Sequence, residues 1–458
     1  MNTLLRYSKI LTGIFLILVH NYGCKKSDAI KTARQKPEIN LITEIPGTGG
    51  NPSSRIKQIH LDKDTVYVLS TTVTREVGEE LIIDAGTVIK MAPSASITIN
   101  PGAIISAKGN RNEPIVFTSS VAAGNKNNYW KGITINGKSV NNSNQQNGDR
   151  LDNSGSFTFI RIEFANLTLN NVGNRTLLEN IQVSYANPTS AFIIKGGSFD
   201  ARYLISYACG GPADFYFTGG YSGNIQYLLA QRHPYFGNFG NEPNNVLTGL
   251  YIENNATGSL KALPYTRPVL SNATVIGPNN FNGTTADYYD AIAGSSSSIV
   301  TARNAFFNIR NSIFLGYPIN GWEVIDSLTA SNVNFLRSEF TSSITQANTN
   351  SRTFYIKPGV YQIYEGRDFE RFILEDRFYN KLFKNIDEFM LFDAFNYENP
   401  LPLPTLNSTL FTGARFDGNN YSRSFFKKES FIGAFGNNNW LTEWTNFQPL
   451  KTKYNVAE

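Results

Sequence analysis

A short motif that returns at a nearly constant interval constrains this chain more than any other feature. Six segments align: Arg161–Asn166 (RIEFAN), Gln182–Asn187 (QVSYAN), Leu204–Cys209 (LISYAC), Gln226–Gln231 (QYLLAQ), Gly249–Asn254 (GLYIEN) and Asn272–Gly277 (NATVIG). Their starts lie 21, 22, 22, 23 and 23 residues apart, and a seventh, Asn311–Gly316 (NSIFLG), follows after 39. Each is β-prone and alternating, and none is followed by an amphipathic stretch of helix length. Parallel strands whose connections are too short for a helix must wind into a solenoid. The expected fold is all-β: a right-handed parallel β-helix with coils of about 22 residues and a small helical C-terminal insertion or cap.

Side chains of a strand alternate between faces, so the motif predicts columns. Ile162, Val183, Ile205, Tyr227, Leu250 and Ala273 form one inward column; Phe164, Tyr185, Tyr207, Leu229, Ile252 and Val275 form the next. Glu163, Ser184, Ser206, Leu228, Tyr251 and Thr274 face out. Asn166, Asn187, Cys209, Gln231, Asn254 and Gly277 end the strands, where amide side chains can join coil to coil as a ladder. Upstream, Leu81–Met91, Ser96–Ala107, Pro114–Thr118 and Trp130–Gly137 read as strands separated by Gly and Pro turns.

The N-terminus has the order of a secretory signal. Arg6 and Lys9 precede the apolar run Ile10–Val19, which is shorter than the roughly 20 residues of a spanning helix. Asn21-Tyr22-Gly23-Cys24 resembles a bacterial lipobox, which implies cleavage before Cys24 and acylation, palmitate included, of that cysteine. Asn21 departs from the aliphatic residue of the pattern. The expected layout is 1–23 signal peptide, 24–56 flexible tether, 57–355 β-helix and 356–458 C-terminal cap and brace.

Cys24 and Cys209 are the only cysteines, so lipidating the first leaves the second without a partner. Stability must then come from a large core rather than a disulfide framework. Cys209 reads as a buried structural thiol, because no electropositive exposed setting surrounds it. Charged residues make up only 17%, and the formal charge of +5 is spread along the chain, which gives no basic stripe for nucleic acid.

The runs AGTVIKM, ITINPGAIISAKG, EPIVFTSS and WKGITINGK resemble a family of Bacteroidota outer-membrane β-helix lipoproteins. So do FTFIRIEFAN, ARYLISYACG, GGYSGNIQYLLAQR and the closing FIGAFGNNNWLTEWTNF. The resemblance extends from about Thr65 to the end and implies a pectate-lyase-like helix, with activity poorly assigned. Relatives carry acidic clusters on two successive turns; here only Asp214 remains, a weak cation candidate that carbonyls of Gly210, Gly211 and Pro212 would have to supplement.

No catalytic residues are expected. The outward positions bear one carboxylate, Glu163, whereas glycoside hydrolases need a pair. His20, His60 and His233 lie far apart without ligand spacing, and no cofactor is implied. The best binding candidate is the loop from Arg232 to Asn241, with His233, Tyr235, Phe236 and Phe239; its rings either form a platform or fold back on the wall. Tyr288 and Tyr289 are a second candidate. Gly366–Phe392 spaces apolar residues at three and four, an amphipathic helical pattern suited to a cap or a docking face. Phe425–Trp444 reads as a brace on the solenoid wall.

The function expected is a non-catalytic, lipid-anchored outer-membrane protein, at the cell surface, binding a glycan or peptide. The resemblance implies a TonB-dependent transporter as partner. A carbohydrate-active β-helix enzyme and an adhesin are the alternatives.

Overall fold

The computed structural model describes residues 35–41, 56–121, 128–143, 147–234, 247–279, 297–349, 352–361 and 367–454. Parallel strands stack into three faces of a right-handed β-helix. The first face runs from Gln58–Leu61, Glu80–Ile83 and Ile104–Lys108 to Asn308–Arg310 and Glu339–Thr341. The second runs from Val66–Leu69, Val88–Met91 and Ile115–Ser119 to Ile313–Tyr317 and Ile344–Ala347. In the middle coils one long strand serves both faces: Gly155–Glu163, Leu177–Ser184, Ala201–Tyr207, Asn224–Gln231 and Val269–Ile276. The third face is a ten-stranded sheet from Val73–Arg75 to Phe354–Ile356.

Each long strand is bent by one left-handed residue. Phe159, Asn180, Tyr203, Tyr227, Asn272 and Asn311 all have φ between 51° and 61° and stack in successive coils. Asn visits this region readily and bulky residues do not, so the three aromatics here are held by packing. A second bend follows five residues later, at Phe164, Tyr185, Ala208 and Gly316.

That constant bend-to-bend distance sets the register and corrects the columns read from the motif. Ile162 stacks on Val183, but Val183 stacks on Ser206 and Ser206 on Ala230. Aligning SYAN with SYAC is therefore one residue out, and such a slip exchanges the faces. Tyr227 is buried as expected, but it sits at the bend rather than within a flat strand. Thr248–Glu253, which contains most of GLYIEN, belongs to the third face, between Ala213–Thr218 and Ser297–Ala302. The strand-end column accordingly forms no single amide ladder. The ladder lies on the third face instead: Asn170 Nδ2 donates to Asn136 Oδ1 at 2.9 Å, Asn136 to Asn100 at 3.2 Å, and Asn100 to Glu76 at 2.9 Å.

The solenoid interior is packed with Ile, Leu, Val and Phe, including Phe192 stacked on Phe215 at 4.6 Å. Such pairs add about 0.5–1.5 kcal/mol to area burial. Glu38–Asn40, expected in a tether, pairs with Val66–Val68 and adds a strand to the second face. The amphipathic pattern of Gly366–Phe392 is not one helix. It resolves into a helix at Arg367–Ile373, 3-10 turns at Asp376–Phe378 and Ile386–Phe389, and a strand at Lys381–Leu382 that extends the second face. Left-handed Tyr379 and Met390 end the two turns. The helix still covers the end of the core: Phe369 is fully buried, 5.3 Å from the Trp322 ring.

Residues 410–454 form a strap that runs back along the outside of the coils. Asn311 is paired with Arg415, Asn272 donates to the carbonyls of Phe431 and Gly433, Gln226 is paired with Lys427, and Gln182 with Asn446. Glu163 and Thr274, expected to face out, are consequently buried under the strap, whereas Ser206 is buried because the corrected register turns it inward.

Candidate functional site

Where the strap crosses the bend column, it leaves a groove of about 670 Å³. Its floor comes from the left-handed residues Phe159, Asn180, Tyr203 and Tyr227, and its other wall from Lys427, Glu429 to Phe431, and Gly436 to Trp440. The bend is the physical reason these rings lie here. A left-handed residue turns the backbone between two flat faces, so its side chain projects at the edge rather than into either sheet.

The rings hold one another. Tyr203 and Tyr227 stack at 4.7 Å with planes 7° apart, and Tyr203 meets Trp440 at 5.2 Å. Behind them, Phe435 stacks on Trp440 at 5.1 Å, and Trp444 lies edge-on to Phe159 at 5.9 Å. Both indoles donate to the strap's own carbonyls, Trp440 to Ala434 and Trp444 to Trp440. Tyr203 keeps part of its surface in solvent, whereas Tyr227 and Trp440 are buried.

Polar groups border these rings. Tyr227 Oη donates to Glu429 Oε1 at 2.6 Å, and Lys427 Nζ lies 3.0 Å from the same oxygen. Burial raises the Tyr227 hydroxyl well above its ordinary value, with Glu429 adding to it, so it stays a donor. Asn437 and Asn438 are exposed, and Arg111 stands at one end. Glu429 is the single carboxylate lining the groove among the described residues. The groove continues past Phe411, Gly436, Asn437 and Asn439 into a second depression, where Phe392 and Leu406 are exposed.

The residues singled out from the sequence lie elsewhere. Cys24, Tyr235, Phe236, Phe239, Tyr288 and Tyr289 are outside the described residues. His233 is half-buried, edge-on to Tyr207 and 4.9 Å from the Tyr397 ring; burial lowers its pKa to about 4, so it is neutral at pH 7. Asp214 is fully buried inside the coil corner. It accepts from Ser206 Oγ at 2.6 Å and from Arg232 Nε at 2.8 Å. Arg232 also donates to the carbonyls of Cys209, Gly211 and Thr248. Asp214 is therefore not an open cation ligand: the guanidinium supplies the positive charge and takes the Gly211 carbonyl that would have helped to hold a cation. Among the described residues, no group of three or more His, Cys, Asp or Glu is arranged to hold a metal ion.

Aligning the motif on its alternating core hides the groove rings, which sit at its break. The available signal was one residue per coil, aromatic or Asn, that interrupts the alternation: Phe159, Asn180, Tyr203, Tyr227, Asn272 and Asn311.

Comparison with solved structures finds Dettilon tailspike protein at 12% identity and a TM-score of 0.24, over 66% of this chain and 61% of that one. The chain thus spans less than two thirds of that protein's length, and a likeness this weak carries no argument about its work. No curated protein matches the chain. The family model of the pectate-lyase-like β-helix domain matches residues 53–361, well over half of the sequence, and the chain belongs to that family.

Proposed function

We propose that this protein is a non-catalytic glycan-binding β-helix. In this reading a lipid on Cys24 holds it at the outer membrane, beside a TonB-dependent transporter that takes up what it captures. The observation that carries the reading is the groove over the bend column, where partly exposed Tyr203 lies among Asn180, Asn437, Asn438, Lys427 and Arg111. Aromatic faces pack against the C–H faces of sugars at low entropy cost, while amides and cations take the hydroxyls. The continuation of the groove past Phe411 suits a linear chain of several units. Support for binding without cleavage is the solitary Glu429, already engaged by Tyr227 and Lys427, where hydrolysis of a glycoside wants two carboxylates.

The test is a polysaccharide panel assayed for both binding and new reducing or unsaturated ends. Binding without cleavage is expected, weakened about tenfold or more by Tyr203→Ala and less by Asn438→Ala. Chain cleavage abolished by Glu429→Gln would replace this reading with a carbohydrate-active enzyme. The anchor is tested separately: Cys24→Ala should move the protein out of the membrane fraction, and retention there would remove the lipid from the account. Co-purification of a transporter with the anchored protein tests the partner.

A further inference from the structure

A second pocket, of about 540 Å³, lies at the other end of the molecule, where the last strands of the first face meet the cap. Arg267, Arg310 and Arg337 border it. Each guanidinium lies over a ring: Arg267 on Phe306 at 4.6 Å, Arg310 on Tyr421 at 4.6 Å and Arg337 on Phe335 at 5.4 Å. A guanidinium held by its face keeps its N–H edges free for oxyanions in its own plane.

The three differ in what those edges meet. Arg310 is engaged by Glu339 and Asp417, and Glu339 also accepts from the Thr341 hydroxyl at 2.8 Å. Neither Arg267 nor Arg337 has a carboxylate partner among the described residues. Arg267 is exposed at its rim, yet lost hydration lowers its guanidinium from the ordinary arginine value with no carboxylate to offset it. Two further groups line the same wall. Asn308 Nδ2 and Ser338 Oγ belong to residues only 5% exposed, and neither has a hydrogen-bond partner among the described residues. Both atoms are shut off from solvent within that wall, where polar groups left without a partner are rare. Phe340, Phe372 and Phe378 supply an apolar wall beside these donors.

We propose that this pocket binds a compact oxyanion group (carboxylate, sulfate or phosphate) carried on a ring-sized body with an apolar face. The anion lies between the free edges of Arg267 and Arg337, while the body packs on the phenylalanines. The site shares no residue with the groove, so it stands or falls independently of the glycan reading.

The test is calorimetric titration of the full chain with benzoate, D-glucuronate, inorganic sulfate and inorganic phosphate, with glucose and benzyl alcohol as neutral controls. At least one ring-borne carboxylate should bind more tightly than either inorganic ion and far more tightly than its neutral analogue; benzoate against glucuronate tells an aryl body from a sugar. Affinity should fall about tenfold on Arg267→Gln or Arg337→Gln and partly return with Arg267→Lys. Both positions are exposed, so the fold should stand, and unchanged circular dichroism checks it. Tyr203→Ala should leave this binding untouched. No binding of any anion at tens of millimolar, equal binding of the neutral analogues, inorganic ions matching the ring-borne ones, or indifference to both arginine variants would each overturn the proposal.

Discussion

The side-chain amide of Gln226 pairs with both backbone groups of Lys427: Nε2 donates to the carbonyl at 2.7 Å, and Oε1 accepts from the N–H at 2.9 Å. Gln182 does the same with Asn446, at 2.8 Å in both directions. An amide carries one donor edge and one acceptor edge, as a peptide does, so each glutamine substitutes for a neighbouring strand and holds the strap against the coils.

Removing one such amide should loosen the strap locally. Gln226→Ala strips both partners from Lys427 in a site where Gln226 is fully buried, at a cost of about 1–3 kcal/mol. Hydrogen exchange should quicken through residues 425–433, and binding in the groove should weaken with it. Unchanged exchange there would mean that the ring stack alone holds the strap.

Arg232→Ala should be among the most destabilising single changes, by about 3–5 kcal/mol, because it leaves the Asp214 carboxylate buried without its cation. Replacing both, Asp214→Asn with Arg232→Met, should recover much of that loss in denaturant unfolding. A small effect of Arg232→Ala would show that Ser206 and entering water suffice for Asp214.

His233 predicts a loss of stability in mild acid. Its folded pKa of about 4 lies below the ordinary 6.5, so the unfolded chain takes the proton more readily. The stabilisation is therefore complete above the unfolded pKa and is lost as pH falls from about 6.5 toward 4, by about 3 kcal/mol in all. His233→Gln should flatten that part of the Tm against pH curve. An identical slope in the variant would assign the acid sensitivity to another group.

Cys209 should label slowly. It is 1% exposed, burial pushes its thiol up to about 11, and its Sγ lies 3.4 Å from the Ala213 carbonyl. At pH 8 the thiolate fraction alone slows the native reaction by about two orders of magnitude relative to unfolded protein. Rapid native labelling would contradict the burial.

The sequence by itself determined that this chain winds as a β-helix, because β-prone, alternating segments recur with no room for crossover helices between them. It also located the upstream strands and marked Phe425–Trp444 as a segment for the wall, since local alternation, turn residues and ring-rich runs are written in neighbouring positions. Only the tertiary structure decided which residues stack. Register follows the left-handed bends at positions such as Tyr203 and Tyr227, and nothing local distinguishes a tyrosine held at positive φ from one in a strand. The same holds for Asp214, whose cation comes from Arg232 in the next coil, and for the groove, whose two walls lie more than two hundred residues apart at Tyr203 and Trp440. Contacts at that separation arise from winding and from the returning strap, and a residue's neighbours in sequence carry no record of them.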